Sequence, residues 1–594
     1  MNKLRVAAFV LGVLTVTSRA GIAQEVESNL SQGDLAGKHF RFLWKLGDTG
    51  GFNGVATLRK DGTIAGIASP NEATWLLDSR GRLVFKHRDG RISTIFDKIE
   101  RRNGRYFLEG PFQFREGIVH LLEEVGNEVA ATAKAGDINQ PIRRYSTQQI
   151  VCLDLGESYT FRLRSGREKT VRLVSVKASR DSVLGMVRRA RVDVQIDGDP
   201  LGLDCGPYVM PTEIDGLRIQ ADTTSDWGRL PKAVQFSLWD STDPIVDTDR
   251  FGFPLQDYRL FSHGMQAYGE VVHLGLRDGD PRGQRFHHNY GIDLAGYEGR
   301  ETITSCTDGE VVQLWPTPAN ASSVVIEDKG GFLWAYAHLD SVSPPVKLGA
   351  HIRRGQQIGQ LGRKGGSGNF SHIHVGTFLD RRDLDDHRWN VRLNLYPWVV
   401  AAHEKKCRTG LYAVAGSHQV AVTGETVVLD GSDSIVFGGK ITSYRWELPD
   451  GKAVNDARAE TVFQSPAVYV AALRVKDDHG REDVAICRVK VFTKEAVEDM
   501  LPTIFMTHAP TTNLAVGQPV RFRLWLQGGG EPMRVDFGDG TVIDAYVSYS
   551  EVSHAFNKSG IHIVTAQARV GGKPITQQQK VIVGKGGDAG FGKQ

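Results

Sequence analysis

Several chemistries are excluded by what this chain has little of. Cysteine is scarce: five residues in 594, at Cys152, Cys205, Cys306, Cys407 and Cys487, and never as C-x-x-C. A zinc site built on paired cysteines is therefore not expected. Charge of one sign is also lacking. The 72 Lys and Arg stand against 69 Asp and Glu, leaving a net +3 and no long basic run, which argues against a nucleic-acid groove. Long apolar runs are missing too. Val6 to Val16 falls well short of the roughly 18 residues a spanning helix needs, and no other segment qualifies. A helical H-E-x-x-H metal motif is absent as well, because His403-Glu404 is followed by Lys-Lys-Cys.

What remains is ordinary for globular protein, with 40% hydrophobic and 24% charged residues. A length of 594 predicts roughly four or five domains. Glycine, at 67 residues, sits in turns between short alternating runs, so the expected class is all-β and multidomain. Lys3 and Arg5, the apolar run and the small residues after it predict a secretory signal over residues 1–23. Export permits disulfides, with Cys152–Cys205 and Cys306–Cys407 as candidate pairs; the odd count leaves at least one thiol over.

Turn pairs then divide the chain. Asp61-Gly62, Asp89-Gly90 and Asn103-Gly104 predict hairpins in an N-terminal β-barrel or sandwich over 30–145, with Trp75, Phe85 and Tyr106 as core. Ser165-Gly166 and Asp197-Gly198 do the same in a second β-domain over 148–260, where no nucleophile and base stand together. Residues 261–405 hold the metal candidates. Two further sandwiches follow at 410–494 and 500–584, and a Gly-rich tail at 585–594.

His372-Ile373-His374 and Asp293 carry the chemistry. Residues two apart on a strand share a face, so both imidazoles can enter one site. A carboxylate with imidazoles is a ligand set that zinc takes while keeping a position open. Ala337-His338-Leu339 ends an aromatic strand, and Gly366-Ser367-Gly368 makes a loop ahead of the paired histidines.

These runs, in this order over about 120 residues, resemble the M23 (lysostaphin or LytM-type) zinc metallopeptidases. That family has a His-x-x-x-Asp motif, a Tyr-x-His-Leu strand and a His-x-His strand. It also has a basic Gly-Gln-x-Ile-Gly run, here Arg353 to Gly359. The resemblance implies an antiparallel β-sheet peptidase domain with zinc as cofactor. It implies Asp293 and His374 as metal ligands and His338 and His372 as the catalytic histidines beside the water. Tyr336, two residues before His338, is given no role. The family's first ligand would fall at Asn289, an amide where imidazole is usual. Three readings stay open: His288 turned inward by a β-bulge, Asn289 as a weak ligand, or no third protein ligand. His287 has the right parity but lies too far along a strand.

The last two sandwiches resemble PKD domains of immunoglobulin-like fold. The second carries Asp536-Phe537-Gly538-Asp539-Gly540-Thr541, and the first has Trp446 as a core residue. Asp477 and Asp478 read as a solvated turn rather than a calcium site. The function implied is an exported endopeptidase, periplasmic or extracellular, acting on peptidoglycan stems or cross-bridges. The alternatives are an extracellular protein as substrate, or a degenerate, non-catalytic wall-binding scaffold.

Overall fold

The computed structural model of the chain describes residues 24–25, 30–46, 49–65, 72–87, 90–102, 104–114, 116–125, 142–143, 147–227, 230, 232–276, 284–317, 320–365, 367, 370–378, 393–494, 502–527, 532–545 and 550–584. The expected signal segment, apart from 24–25 just beyond it, and the tail 585–594 lie outside them, as does the side chain of His287.

The alternating runs form antiparallel strands, and the turn pairs close hairpins. Asp61-Gly62 joins Thr49–Leu58 to Ile64–Ala65, and Ser165-Gly166 joins Ser158–Arg162 to Glu168–Arg180. Between Val187–Ile196 and Asp199–Cys205, Asp197 and Gly198 have φ of 54° and 100°. Two left-handed residues give a turn whose twist matches that of the strands it connects.

The chain divides into two compact units: residues 1–135 with 384–388, and residues 136–383 with 389–594. In the first, a seven-stranded and a three-stranded sheet enclose Phe40, Phe42, Trp75, Phe85 and Phe96. Trp75, Phe85 and Tyr106 are buried core residues. Gly110 allows the close approach of two strands here, since a Cβ on it would stand 2.0 Å from the Ile95 carbonyl oxygen.

The second unit begins with a sandwich of a five-stranded and a four-stranded sheet around Phe161, Leu173, Val192, Ile219, Phe236 and Leu238. Next comes a seven-stranded antiparallel sheet. Its order is Met265–Gln266, Ile292–Ala295, His372–Phe378, Leu333–Ala337, Ser323–Asp328, Gly309–Trp315, His351–Ile352. Its inner face buries Ile292, Leu294, Val324, Ile326, Trp334, Ile373 and Val375, each contributing about 1.5–3 kcal/mol of apolar burial. The helix Tyr396–Cys407 packs Trp398 against Phe251 and Trp334. His403 is structural: its Nε2 accepts the Leu260 N–H at 3.1 Å, and its Nδ1 meets the Tyr412 hydroxyl.

The two C-terminal sandwiches are fused rather than strung. One nine-stranded sheet runs through both, joined where Ala467–Asp477 lies parallel to Lys573–Val583 at Val468 and Ile575. Trp446 is fully buried in the first. No helix among the described residues is long and apolar enough to cross a membrane.

The candidate disulfides are not made. All five cysteines are reduced and buried. Burial pushes the thiols of Cys152, Cys306 and Cys487 up to about 12, so they behave as small apolar core residues.

Candidate metal and catalytic site

The strand His372–Phe378 lies between Ile292–Ala295 and Leu333–Ala337. Alternation turns Ile373 and Val375 into the core and leaves His372 and His374 for the other face. Asp293 and Ala337 both stand opposite His374 in register. The result is a contact between His374 Nδ1 and Asp293 Oδ1 at 2.6 Å, with His372 Nε2 at 3.8 Å from Asp293 Oδ2. Gly291 makes room for the ring: a Cβ there would lie 2.7 Å from His374 Cε1. The Gly of the Gly-Ile-Asp run is thus a packing requirement of His374.

His338 reaches the same cluster by an irregularity. In a regular strand it would share the face of Tyr336, which is buried and accepts the Cys306 N–H through its hydroxyl oxygen at 2.7 Å. Instead His338 has φ of 70°, a left-handed conformation uncommon outside glycine and concentrated at functional sites. The chain turns there, Tyr336 stays in the core and the His338 ring swings to the other side. Its centroid lies 4.6 Å from that of His372 and 6.3 Å from that of His374.

The hydrogen bonds assign the tautomers of two histidines. Nδ1 of His338 donates to the Lys364 carbonyl at 2.8 Å, and Nδ1 of His372 donates to the Phe370 carbonyl at 2.8 Å. Each then keeps a lone pair on Nε2. Burial, reinforced by His372, pushes His338 down to about 4. Burial also lowers His372, against the pull of Asp293. Both rings are therefore neutral proton acceptors near neutral pH. Asp293 goes the other way. Burial alone would raise its carboxyl, but His372, His374 and the His374 hydrogen bond outweigh that and hold it below the usual carboxylate range.

His288 does not join the cluster. Its Nε2 meets the Val187 carbonyl at 3.0 Å and its ring lies 6.0 Å from that of Trp227. The inward bulge is not formed, for a topological reason. Gln284–His288 pairs with Val271–Leu276 in a separate two-stranded sheet, and Ile292–Ala295 belongs to the large one. Parity cannot be carried across the bend at 289–291. Asn289 sits on that bend, 2% exposed. Its Nδ2 donates to the Gln266 carbonyl at 2.9 Å and its Oδ1 accepts the Gly291 N–H at 3.3 Å. One lone pair of Oδ1 remains.

Asn289, Asp293, His338, His372 and His374 line one cleft of about 300 Å³. The donor chemistry fits a divalent cation. A buried carboxylate faces imidazole nitrogen, and among the described residues its ion-pair partners are the two histidines. Sequence reasoning missed the far wall, which the two C-terminal sandwiches supply through Arg488, Lys490, Phe505 and Gln577. The available signal was Arg488 and Lys490 at alternate positions of an otherwise apolar strand. The Asp477-Asp478-His479 group is the turn expected. Asp477 Oδ1 accepts the N–H groups of His479 and Arg481 at 3.0 and 2.8 Å, and its Oδ2 pairs with Arg481.

Comparison with known proteins agrees with the motif order. Residues 287–385 match the family model of Peptidase family M23, and residues 412–491 match that of a PKD domain. The PKD match falls on the first sandwich, where the sequence motif is the fainter. Collagenase ColA of Clostridium perfringens is 29% identical over 86 residues, 14% of this chain. The chain spans only 8% of that relative's length. The solved LytM protein of Ruminococcus gnavus is 20% identical over 26% of this chain and 62% of its own, with a TM-score of 0.18. A zinc-containing peptidase of Vibrio cholerae is 16% identical over 34% of this chain and 81% of its own, with a TM-score of 0.17.

Proposed function

We propose that the M23-type segment of this chain is a zinc-dependent endopeptidase. Asp293 and His374 would hold the metal, with the Asn289 amide oxygen as third donor. The observation that carries this reading is the convergence of Asp293, His338, His372 and His374 from three neighbouring strands on one cleft, with Asp293 and His374 in direct contact. A zinc ion held there supplies Lewis acidity toward a peptide carbonyl and toward water.

The rest follows from the chain's own groups. Nε2 of His338 and of His372 is the basic nitrogen of a neutral ring, so each can take a proton from water or hydrogen-bond to it. Their Nδ1 protons are committed to backbone carbonyls, which fixes the rings and keeps the basic nitrogens presented. Once protonated, either ring can return the proton to the leaving amine or stabilise the developing oxyanion. Asp293, held ionised, favours that charge.

The substrate class is a peptide, and peptidoglycan stems or cross-bridges outside the cytoplasm are the substrate we assign. The test is digestion of purified peptidoglycan by the full chain, with elastin as the protein comparison, before and after chelation. Chelator-sensitive release of new amino groups from peptidoglycan supports the reading. Release from elastin alone moves the substrate to extracellular protein. A second reading, a groove that binds wall peptides without cleaving them, is favoured by the two hydrogen bonds that occupy Asn289. It predicts binding to peptidoglycan with no new amino groups.

A further inference from the structure

The cleft does not end at the metal-site histidines. Arg188, Arg488 and Lys490 line it together with His418 and the carboxylate of Glu270. The strand Glu482–Phe492 explains two of these. Val489 and Val491 are buried in the first sandwich, so the residues alternating with them, Arg488 and Lys490, share the opposite face and turn toward the cleft. Lys490 is 6% exposed. Long basic side chains ordinarily reach for water, and burying two side by side costs stability unless an anion accompanies them.

The acidic groups nearby do not balance them. Arg188 is tied to Asp181 at 2.9 Å. Glu270 Oε1 accepts the His418 N–H at 3.1 Å, and its Oε2 takes the Tyr208 hydroxyl. Burial pushes Glu270 up to about 7, so it is a partial counter-charge at most. Arg488 contacts the Gln577 side-chain oxygen at 3.4 Å, a neutral group. Burial and the neighbouring Arg488 push Lys490 down to about 7, the response of a cation whose surroundings lack negative charge.

We infer that the Arg488–Lys490 face of the first sandwich is a carboxylate-binding subsite, which seats an acidic group of the peptide whose backbone crosses the Asp293–His374 cluster. The subsite deepens the peptidase reading and rests on it for the identity of the ligand. Arginine offers two parallel N–H donors to a carboxylate, and lysine adds a point charge. The carboxylate could belong to the peptide's C-terminus or to an acidic side chain within it.

The experiment is calorimetric titration of the full chain with three probes: acetyl-tetraalanine with a free carboxylate, its carboxamide, and acetyl-Ala-Glu-Ala-Ala carboxamide. The free-carboxylate probe, the glutamyl probe or both should bind at least tenfold tighter than the neutral one, and which of them does names the source of the carboxylate. Arg488→Gln and Lys490→Met should each reduce that preference at least fivefold without weakening the neutral probe, and Lys490→Arg should keep it. Because Arg488 is half-buried, the thermal midpoint of each variant is recorded, and Lys490→Arg carries the test if Arg488→Gln does not fold. Equal binding of all three probes, or no measurable binding of any at millimolar concentration, overturns the subsite. Loss of peptide cleavage in His374→Ala with probe binding intact separates the two proposals. If no cleavage occurs at all, the peptidase reading fails while the titration still decides the subsite.

Discussion

Asp293 and Asp222 are both buried aspartates on β-strands, and they behave oppositely. Asp222 lies in the sandwich that precedes the peptidase sheet. It accepts hydrogen bonds from the Ser237 hydroxyl at 2.6 Å and the Gln235 amide at 3.2 Å. These donors are neutral, and burial pushes the carboxyl up to about 7. Asp293 is equally enclosed, yet three imidazoles hold it below the ordinary range. Burial alone therefore does not make a cation site. What distinguishes Asp293 is the set of basic nitrogens around it and a cleft that opens onto them. The Asp477 turn adds the converse lesson. Its donors lie close to those of Asp478 and His479, but Asp477 spends its oxygens on backbone N–H groups and Arg481.

The contrast is broken most severely at the cluster itself. Asp293→Ala and His374→Ala should each take metal content from about one ion per chain to none and abolish peptide hydrolysis. The double substitution Asp477→Asn, Asp478→Asn should leave both unchanged. Metal analysis and a peptide-release assay on the same preparations check this. A smaller loss is expected where the metal stays: His338→Ala and His372→Ala should slow turnover by about 10²–10⁴-fold with metal retained, the range for loss of general acid–base assistance.

Asp222 supplies the stability half of the comparison. Its folded pKa of about 7 exceeds the unfolded value of about 3.9. The folded state thus prefers the protonated acid. The stabilisation is complete below about pH 4 and is lost as pH rises to about 7. Three units correspond to about 4 kcal/mol. Asp222→Asn should flatten this fall in denaturant melts taken between pH 4 and 8; an unchanged slope would assign it to other groups.

The weakest effect sharpens the third-ligand question. Asn289→His should raise zinc affinity about tenfold or more, because imidazole is the better donor. His288→Ala should leave affinity unchanged and cost about 1–3 kcal/mol of stability through the stranded Val187 carbonyl. Competition with a chromogenic chelator reads the first, and thermal melts read the second.

Much of this was legible in the sequence. Period-two alternation and Asp-Gly turns gave the strands, and the facing of His372 and His374 followed from their spacing. Three features were not legible, each for a physical reason. The position of His288 depends on a change of sheet at residues 289–291, which strand parity cannot register. The swing of His338 depends on one left-handed residue that is not a glycine. The basic wall depends on docking between domains, and Arg488 and Lys490 are 195 and 197 residues from Asp293.

The most direct test of the account is zinc-edge X-ray absorption on the purified full chain, compared with Asp293→Ala and His374→Ala. The account predicts about one zinc per chain in a shell of nitrogen and oxygen donors that includes imidazole, lost in both variants. Metal-free protein after incubation with zinc, or zinc retained unchanged in both variants, would contradict it.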